Sequence, residues 1–219
     1  MIKRYPIPAN GQCPTQWKEY HFPSLFVAKF EKGEFLYTEG HPIENLFLIE
    51  SGKVKVCITS TEGKSLLINF YSKGHLLGDV ETVLSQTEAV TSIQAVTKVI
   101  CYAVPVEEFL QAACQNPDLM RHIAAVLAER AKRSVRNASI NILSNLKMRL
   151  CAYIEQTQRD GFFKDNFLAL SDLLGVSYRH LHRTLQTLCQ EGILQKAGRG
   201  YFIKDMETLS LAANGMYRM

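Results

Sequence analysis

Apolar positions follow one period in the first half of the chain and another in the second. From Phe30 the runs are short, and glycines at 33, 40, 52, 63, 74 and 78 punctuate them. Leu46–Ile49, Val54–Ile58 and Leu66–Phe70 are β-branched, aromatic or aliphatic, and "KVKVCI" alternates apolar with polar. Short runs at roughly 8–12-residue spacing, broken by turn residues, predict an antiparallel sandwich or barrel. "STEGKS" predicts a hairpin turn, with Gly63 supplying the positive φ. A further strand pair is predicted across "AVTSIQAVTKVICYAV", closed by Pro105.

After Pro117-Asp118 the spacing becomes helical and runs on without Gly or Pro. Ile123, Leu127, Ala131, Ser134, Ala138 and Ile142 fall on one face at three- and four-residue steps. A stripe of small and mid-sized residues on so long a helix predicts close packing against another helix. Arg130, Lys132, Arg133 and Arg136 flank it, which favours a seam shared by two copies of the chain. Docking on the chain's own β-half is the alternative, and the two are compatible. Ser144-Asn145 offers a cap for a new helix, "LKMRLCAYIEQTQ". The organisation expected is therefore a β-domain over residues 1–115, a dimerisation helix over 116–144 and a second domain over 145–219.

Within that last domain, "LSDLLGVSYRHLHRTLQTL" fits a helix-turn-helix. Leu170, Ser171, Leu174, Gly175, Val176, Leu181 and Leu185 occupy the positions that need apolar, small or turn residues. Ser177 can cap the second helix. Leu181, Leu185 and Leu188 face inward at i, i+4 and i+7, which leaves Tyr178, Arg179, His182 and Arg183 to project from its N-terminal end. A recognition helix meets base edges there, and Arg can bond both guanine acceptors. "GILQKAGRGYFIKD" reads as a hairpin wing around Gly198-Arg199-Gly200, with Lys196 and Arg199 placed to meet phosphates. The two histidines of "HLH" are two residues apart on a helix and point away from each other, so they do not suggest a metal pair.

Charge divides as this reading requires. Residues 1–115 carry 10 Lys+Arg and 12 Asp+Glu, a net of −2. Residues 116–219 carry 15 and 9, a net of +6. The basic excess lies in the half expected to bind a polyanion. Cys13, Cys57, Cys101, Cys114, Cys151 and Cys189 include no C-x-x-C pair, which argues against a zinc site and for unreactive thiols in a reducing compartment. No apolar run reaches the roughly 18–20 residues of a bilayer span. "MIKRYPIPANGQCPTQW" lacks the apolar block of a secretory signal. A cytoplasmic location without membrane contact is expected.

In this order, a roll, a long helix and a winged helix-turn-helix resemble the Crp/Fnr family of bacterial transcription regulators. The segments carrying the resemblance are "KGEFLYTEG", "LFLIESGKVKV", "LLGDVE" and "LGVSYRHLHRTLQTLCQEGIL". The Ser-Tyr-Arg-His-Leu run is most similar to the YeiL-type subgroup. The resemblance implies an α+β fold: an N-terminal double-stranded β-helix of cyclic-nucleotide-binding type, a dimerisation helix and a C-terminal winged helix-turn-helix. It further implies a homodimer that binds a palindromic operator in double-stranded DNA and engages RNA polymerase. The effector pocket it implies lies around Gly78, Asp79, Val80, Ala89, Val90 and Ser134.

Several positions depart from the family pattern. Members that bind cyclic AMP carry Gly-Glu and, eleven residues after that Gly, an Arg-Ser pair that clamps the phosphate. Here Gly78-Asp79 is followed by Ala89-Val90, and the adenine-contacting pair falls on Ser134-Val135, with one hydroxyl. A cyclic phosphate would be desolvated there with poor compensation, so cyclic AMP is not expected as effector. Oxygen-sensing members use clustered N-terminal cysteines plus one in the roll. Cys101 occupies the roll position and Cys13 stands alone, so no iron–sulfur cluster is expected. The best-known members place Arg-Glu or Val-Glu after the helix cap, where this chain has Tyr178-Arg179, while Arg183 keeps its place. A different operator preference follows. The competing reading is a nucleotide-type signalling module acting through protein contacts. A P-loop, G-x-S-x-G and H-E-x-x-H are all missing, which argues against an enzyme.

Overall fold

The computed structural model describes residues 4–6, 17, 20, 22–59, 65–143 and 145–217, with side chains of 133–143 left aside. Cys13, Ser144, the turn of "STEGKS" and the side chains of Ser134, Ala138 and Ile142 lie outside the described residues. The chain divides into two compact units, Met1–Ile58 with Phe70–Lys132, and Thr59–Asn69 with Arg133–Met219. This division falls inside the long helix, whereas the sequence pattern placed boundaries at either end of it.

The first unit is built on β-strands. β1 (Arg4–Tyr5), β2 (Phe26–Phe30), β4 (Asn45–Ser51), β7 (Leu76–Leu77) and β9 (Val99–Pro105) form a five-stranded sheet in the order β1-β2-β9-β4-β7. β3 (Phe35–Tyr37), β5 (Lys53–Thr59) and β8 (Ser92–Ala95) belong to a second, in the order β3-β8-β5, and β6 (Ser65–Ser72) crosses the division, with its Phe70–Ser72 end in this unit. Successive side chains of a strand point to opposite faces, and the central strands of the first sheet are apolar on both. On β4, Phe47 and Ile49 enter a core shared with Val54, Val56 and Ile93 of the second sheet, while Leu46 and Leu48 enter another. β9 divides likewise, with Cys101 and Ala103 on one side and Tyr102 and Val104 on the other.

Helices cover that second face. α1 (Asp79–Val83) is one short turn; α2 (Val106–Gln115) and α3 (Pro117–Leu143) follow β9. Phe109 of α2 stacks on Phe22 at 6.0 Å, and Trp17 lies 5.4 Å from Phe22. Leu119 and Ile123 from the first turns of α3 are buried in this same cluster, with Leu127 packed against it. This corrects the seam expected for Ile123: it is 2% exposed inside its own chain. The roll leaves an apolar sheet face to be covered, and α2 together with the start of α3, which follow β9 in the chain, covers it.

The second unit holds α4 (Leu146–Thr157), β10 (Phe162–Phe163), α5 (Phe167–Leu173), α6 (Tyr178–Gln190), β11 (Leu194–Ala197), β12 (Gly200–Ile203) and α7 (Met206–Ala213). Asn145 caps α4 by accepting from Met148 N–H at 2.9 Å. The three strands are ordered β10-β12-β11, and α7 packs along α4. A side chain at Gly200 would place its Cβ 2.5 Å from the Phe162 ring and 2.6 Å from the Phe163 carbonyl. Only glycine lets β12 approach β10 so closely.

Candidate nucleic-acid interface

α5, the turn at Gly175-Val176 and α6 form the helix-turn-helix. Its interior is apolar: Leu181, Leu185 and Leu188 are fully buried, Leu170 and Leu174 nearly so. Arg149 of α4 donates from Nη1 to the Leu174 carbonyl at 2.7 Å, closing the C-terminal end of α5. Asn166 caps the other end, accepting from Leu168 and Ala169 N–H at 3.1 and 3.3 Å. Ser177 Oγ accepts from His180 N–H at 3.2 Å, which satisfies one of the unpaired amides opening α6.

With the apolar face turned in, the opposite face of α6 stands in solvent. Arg179 and Arg183 are exposed one turn apart, and neither guanidinium has a hydrogen-bond or ion-pair partner among the described residues. Tyr178 is 47% exposed. His182 differs from expectation, since it is half-buried rather than free. Its Nε2 shares a 2.8 Å hydrogen bond with the Tyr178 hydroxyl, the two rings lie 4.6 Å apart, and Phe167 of α5 lies 6.0 Å away. Spacing i, i+4 put Tyr178 and His182 side by side. What the sequence pattern missed was Phe167, which draws the imidazole in. Lys196 on β11 and Arg199 in the wing turn are both exposed, as is Lys164 just ahead of α5, which the sequence reading passed over. Its signal was available, as a cation two residues before a capping Asn.

Several pocket positions of the roll are engaged by the chain's own groups. A side chain at Gly78 (φ +84°) would place its Cβ 2.5 Å from the Tyr37 hydroxyl. Asp79 is 1% exposed, and its Oδ1 accepts from Arg130 Nη1 at 2.7 Å. Arg130 also donates from Nη2 to the Leu76 carbonyl at 2.7 Å, and its guanidinium lies 5.3 Å over the Tyr71 ring. Ala89 is buried, Val80 half-buried and Val90 exposed. The Val90 N–H donates to Oε1 of Glu81 at 3.2 Å, and Glu81 is itself buried. Sequence reasoning missed Glu81, for nothing in "GDVET" distinguishes its carboxylate from a surface one. Burial and the two carboxylates push the Tyr37 hydroxyl well above its ordinary range. Burial likewise raises the Cys101 thiol, which lies inside the core at 0% exposure. Among the described residues no group of three His, Cys, Asp or Glu is placed to hold a metal, and no helix is long and apolar enough to cross a membrane.

Fold and exposed face together define a protein with a nucleotide-type β-roll and a winged helix-turn-helix. The cyclic nucleotide-binding domain family matches residues 27–116, and the Crp-like helix-turn-helix domain family matches residues 148–211. The chain belongs to the Crp/Fnr family of DNA-binding transcription regulators. It is 26% identical to regulatory protein YeiL of Escherichia coli O157:H7, over 81% of this chain and 80% of that one. A CRP-like cAMP-activated global transcriptional regulator of Mycobacterium tuberculosis is 22% identical over 84% of this chain and 86% of its own. In fold it matches a crystal structure of a putative Crp/Fnr-family regulator from Eubacterium rectale, with a TM-score of 0.77 at 16% identity, over 92% of this chain and 95% of that one.

Proposed function

We propose that this regulator is a homodimer that reads a palindromic operator with Arg179 and Arg183, and that cyclic AMP is not its effector. The observation that carries the reading is the pair of exposed guanidinium groups, without partners among the described residues, on the first turns of a capped helix. A buried or ion-paired arginine would serve packing, whereas two arginines left in solvent on the reading face are ready for an acceptor. Selection of bound duplexes from a random pool tests it. The expected product is an inverted repeat with half-sites one helical turn, roughly 10 bp, or a multiple of it apart. Arg183→Ala should cost about 1–3 kcal/mol and relax preference at one base pair per half-site. An equal loss on every single-base variant would mark Arg183 as a phosphate contact and refute its reading role.

The dimer is carried by the rest of α3. With Ile123 spent on the roll, Met120, Ala124, Ala128 and Ala131 remain exposed along the helix. We assign the seam to this face and to its continuation toward Ser134 and Ala138. Ala131→Glu would bring two carboxylates together across a two-fold axis. Sedimentation should then give the 24.8 kDa protomer, and an unchanged dimer would place the interface elsewhere.

Two features oppose a cyclic phosphate in the roll. The one cation at these positions, Arg130, is already committed to Asp79 and the Leu76 carbonyl, and the Val90 amide is engaged by the buried Glu81 carboxylate. Desolvating a phosphate against that carboxylate is unfavourable. Titration calorimetry with cyclic AMP should show no saturable heat, and micromolar binding would overturn this part. We assign no iron–sulfur cluster either, because Cys13 and Cys101 supply too few of the thiols such a cluster needs. A cytoplasmic, non-catalytic regulator acting through RNA polymerase completes the reading.

A further inference from the structure

Leu119, Ile123 and Leu127 dock α3 on the roll, and Arg130 continues that row one turn beyond Leu127. Its side chain is 17% exposed and closes on three elements of the first unit. Nη1 donates to Asp79 Oδ1 of α1 at 2.7 Å, and Nη2 donates to the Leu76 carbonyl of β7 at 2.7 Å. Tyr71 of β6 lies under the guanidinium at 5.3 Å and is stacked in turn on His75 at 4.8 Å. The two acceptors flank Leu77-Gly78, a turn that is itself held. Gly78 has φ +84°, the Thr82 hydroxyl donates to its carbonyl at 2.6 Å, and the Tyr37 hydroxyl donates to the Leu77 carbonyl at 3.2 Å.

We propose that Arg130 is a built-in tether: by closing on Asp79 and the Leu76 carbonyl it joins the roll to the long helix from within the chain, and so holds the regulator competent for its operator with no small effector bound. The proposal rests on the DNA-binding reading above and adds regulation to it. α3 runs unbroken from Pro117 to Leu143, and the first unit ends at Lys132, just past Arg130. A tether so near the division fixes the helix before it enters the second unit. Two half-sites must be met at one spacing, and a helix already fixed on its roll loses less freedom on binding than one that slides. The closed clasp therefore favours the operator. A dissolved anion seeking Arg130 would have to displace Asp79, which the fold holds there at a high effective concentration.

The test compares the parent with Asp79→Leu combined with Arg130→Met, a double variant that strands neither partner. Asp79→Asn is the milder variant, keeping the volume and an acceptor but not the charge. Lys73→Ala is the control, opening the exposed Lys73–Glu50 pair of the same unit at 2.8 Å. Urea unfolding followed at Trp17 establishes that each is folded. Anisotropy titrations on the selected operator, with no small molecule added, should show specific binding by the parent and by Lys73→Ala. The double variant should bind roughly ten-fold more weakly, by the same factor on the operator and on its single-base variants. Asp79→Asn should fall between. Amide exchange across Leu76–Val83 and across Ala124–Lys132 should quicken in the double variant. A folded double variant with the parent's affinity overturns the proposal, as does one that binds more tightly, which would make the clasp inhibitory. Unchanged exchange in both segments overturns it without reference to DNA. So does inorganic phosphate at millimolar concentration that slows exchange across Leu76–Val83 in the parent, which would mean an open anion site. Specific binding that appears only when cyclic AMP is added overturns it as well. If the parent binds no selected duplex while exchange behaves as expected, the DNA-binding reading fails and the tether's role with it, a result that the exchange measurement separates from a failed clasp.

Discussion

In the roll, Asp79 and Glu81 are turned inward, 1% and 6% exposed, and each is met by a donor from the same chain. In the winged unit, Lys164, Arg179, Arg183, Lys196 and Arg199 are exposed and have no such partners among the described residues. Both units have buried apolar cores, so the difference lies in how their charges are used. A charge buried with its partner is committed to the chain's own conformation, and removing the partner is costly. A charge left in solvent costs the fold nothing and stays available to another molecule. The contrast separates the part of this regulator that holds itself together from the part that binds.

The clasp around Arg130 is the sharpest place to break that contrast. Arg130→Met leaves Asp79 buried without its cation and should cost about 3–5 kcal/mol. Trp17, the chain's one tryptophan, is buried in the roll and reports its unfolding in urea by fluorescence. Asp79→Leu combined with Arg130→Met should recover most of the loss, because neither partner is then stranded. If Arg130→Met unfolds at the urea concentration of the parent, the clasp contributes nothing and the roll resembles the winged unit after all.

How much of this could be read from the sequence follows from the same division. The helix-turn-helix was legible because its signals are local: leucines at i, i+4 and i+7, a glycine in the turn and a capping serine. The strands at Leu46, Val54, Leu66 and Val99 were legible from alternation and turn residues. Ile123 was not, since one helical stripe looks the same whether a partner or the chain's own sheet covers it. Glu81 and the inward turn of His182 were hidden for a related reason. Each depends on a residue distant in sequence, Val90 in one case and Phe167 in the other.

A smaller effect is expected where the wing approaches β10. Gly200→Ala drives a methyl group to 2.5 Å from the Phe162 ring, and such overpacking typically costs about 1–3 kcal/mol. Amide exchange across Phe162–Phe163 and Gly200–Ile203 should quicken, while urea unfolding followed at Trp17 stays put. Loss of the roll signal as well would mean that the two units do not respond separately. Smaller again is Ser177→Ala. It removes the acceptor of His180 N–H and should cost about 1 kcal/mol, read as faster exchange in the first turn of α6.

The smallest effect compares two aspartates. Asp205 caps α7, accepting from the Thr208 hydroxyl at 2.6 Å and from Thr208 N–H at 2.9 Å. Unlike Asp79 it is fully exposed, and no cation pairs with it among the described residues. The Thr208 hydroxyl, followed by the Thr208 amide, still holds its carboxyl below the ordinary value of 3.8. A lowered folded value means that the unfolded chain binds the proton more tightly. The contribution is therefore present above about pH 4 and is lost as pH falls through the lowered value. Asp205→Asn keeps a capping oxygen but cannot titrate. Parent and variant should thus differ by a constant amount near neutral pH, with the gap narrowing only in acid. Thr208→Val removes the largest cause of the shift and should move the onset of acid loss upward toward pH 4. A parent-minus-variant difference that already changes between pH 5 and 7 would assign the acid sensitivity to another group.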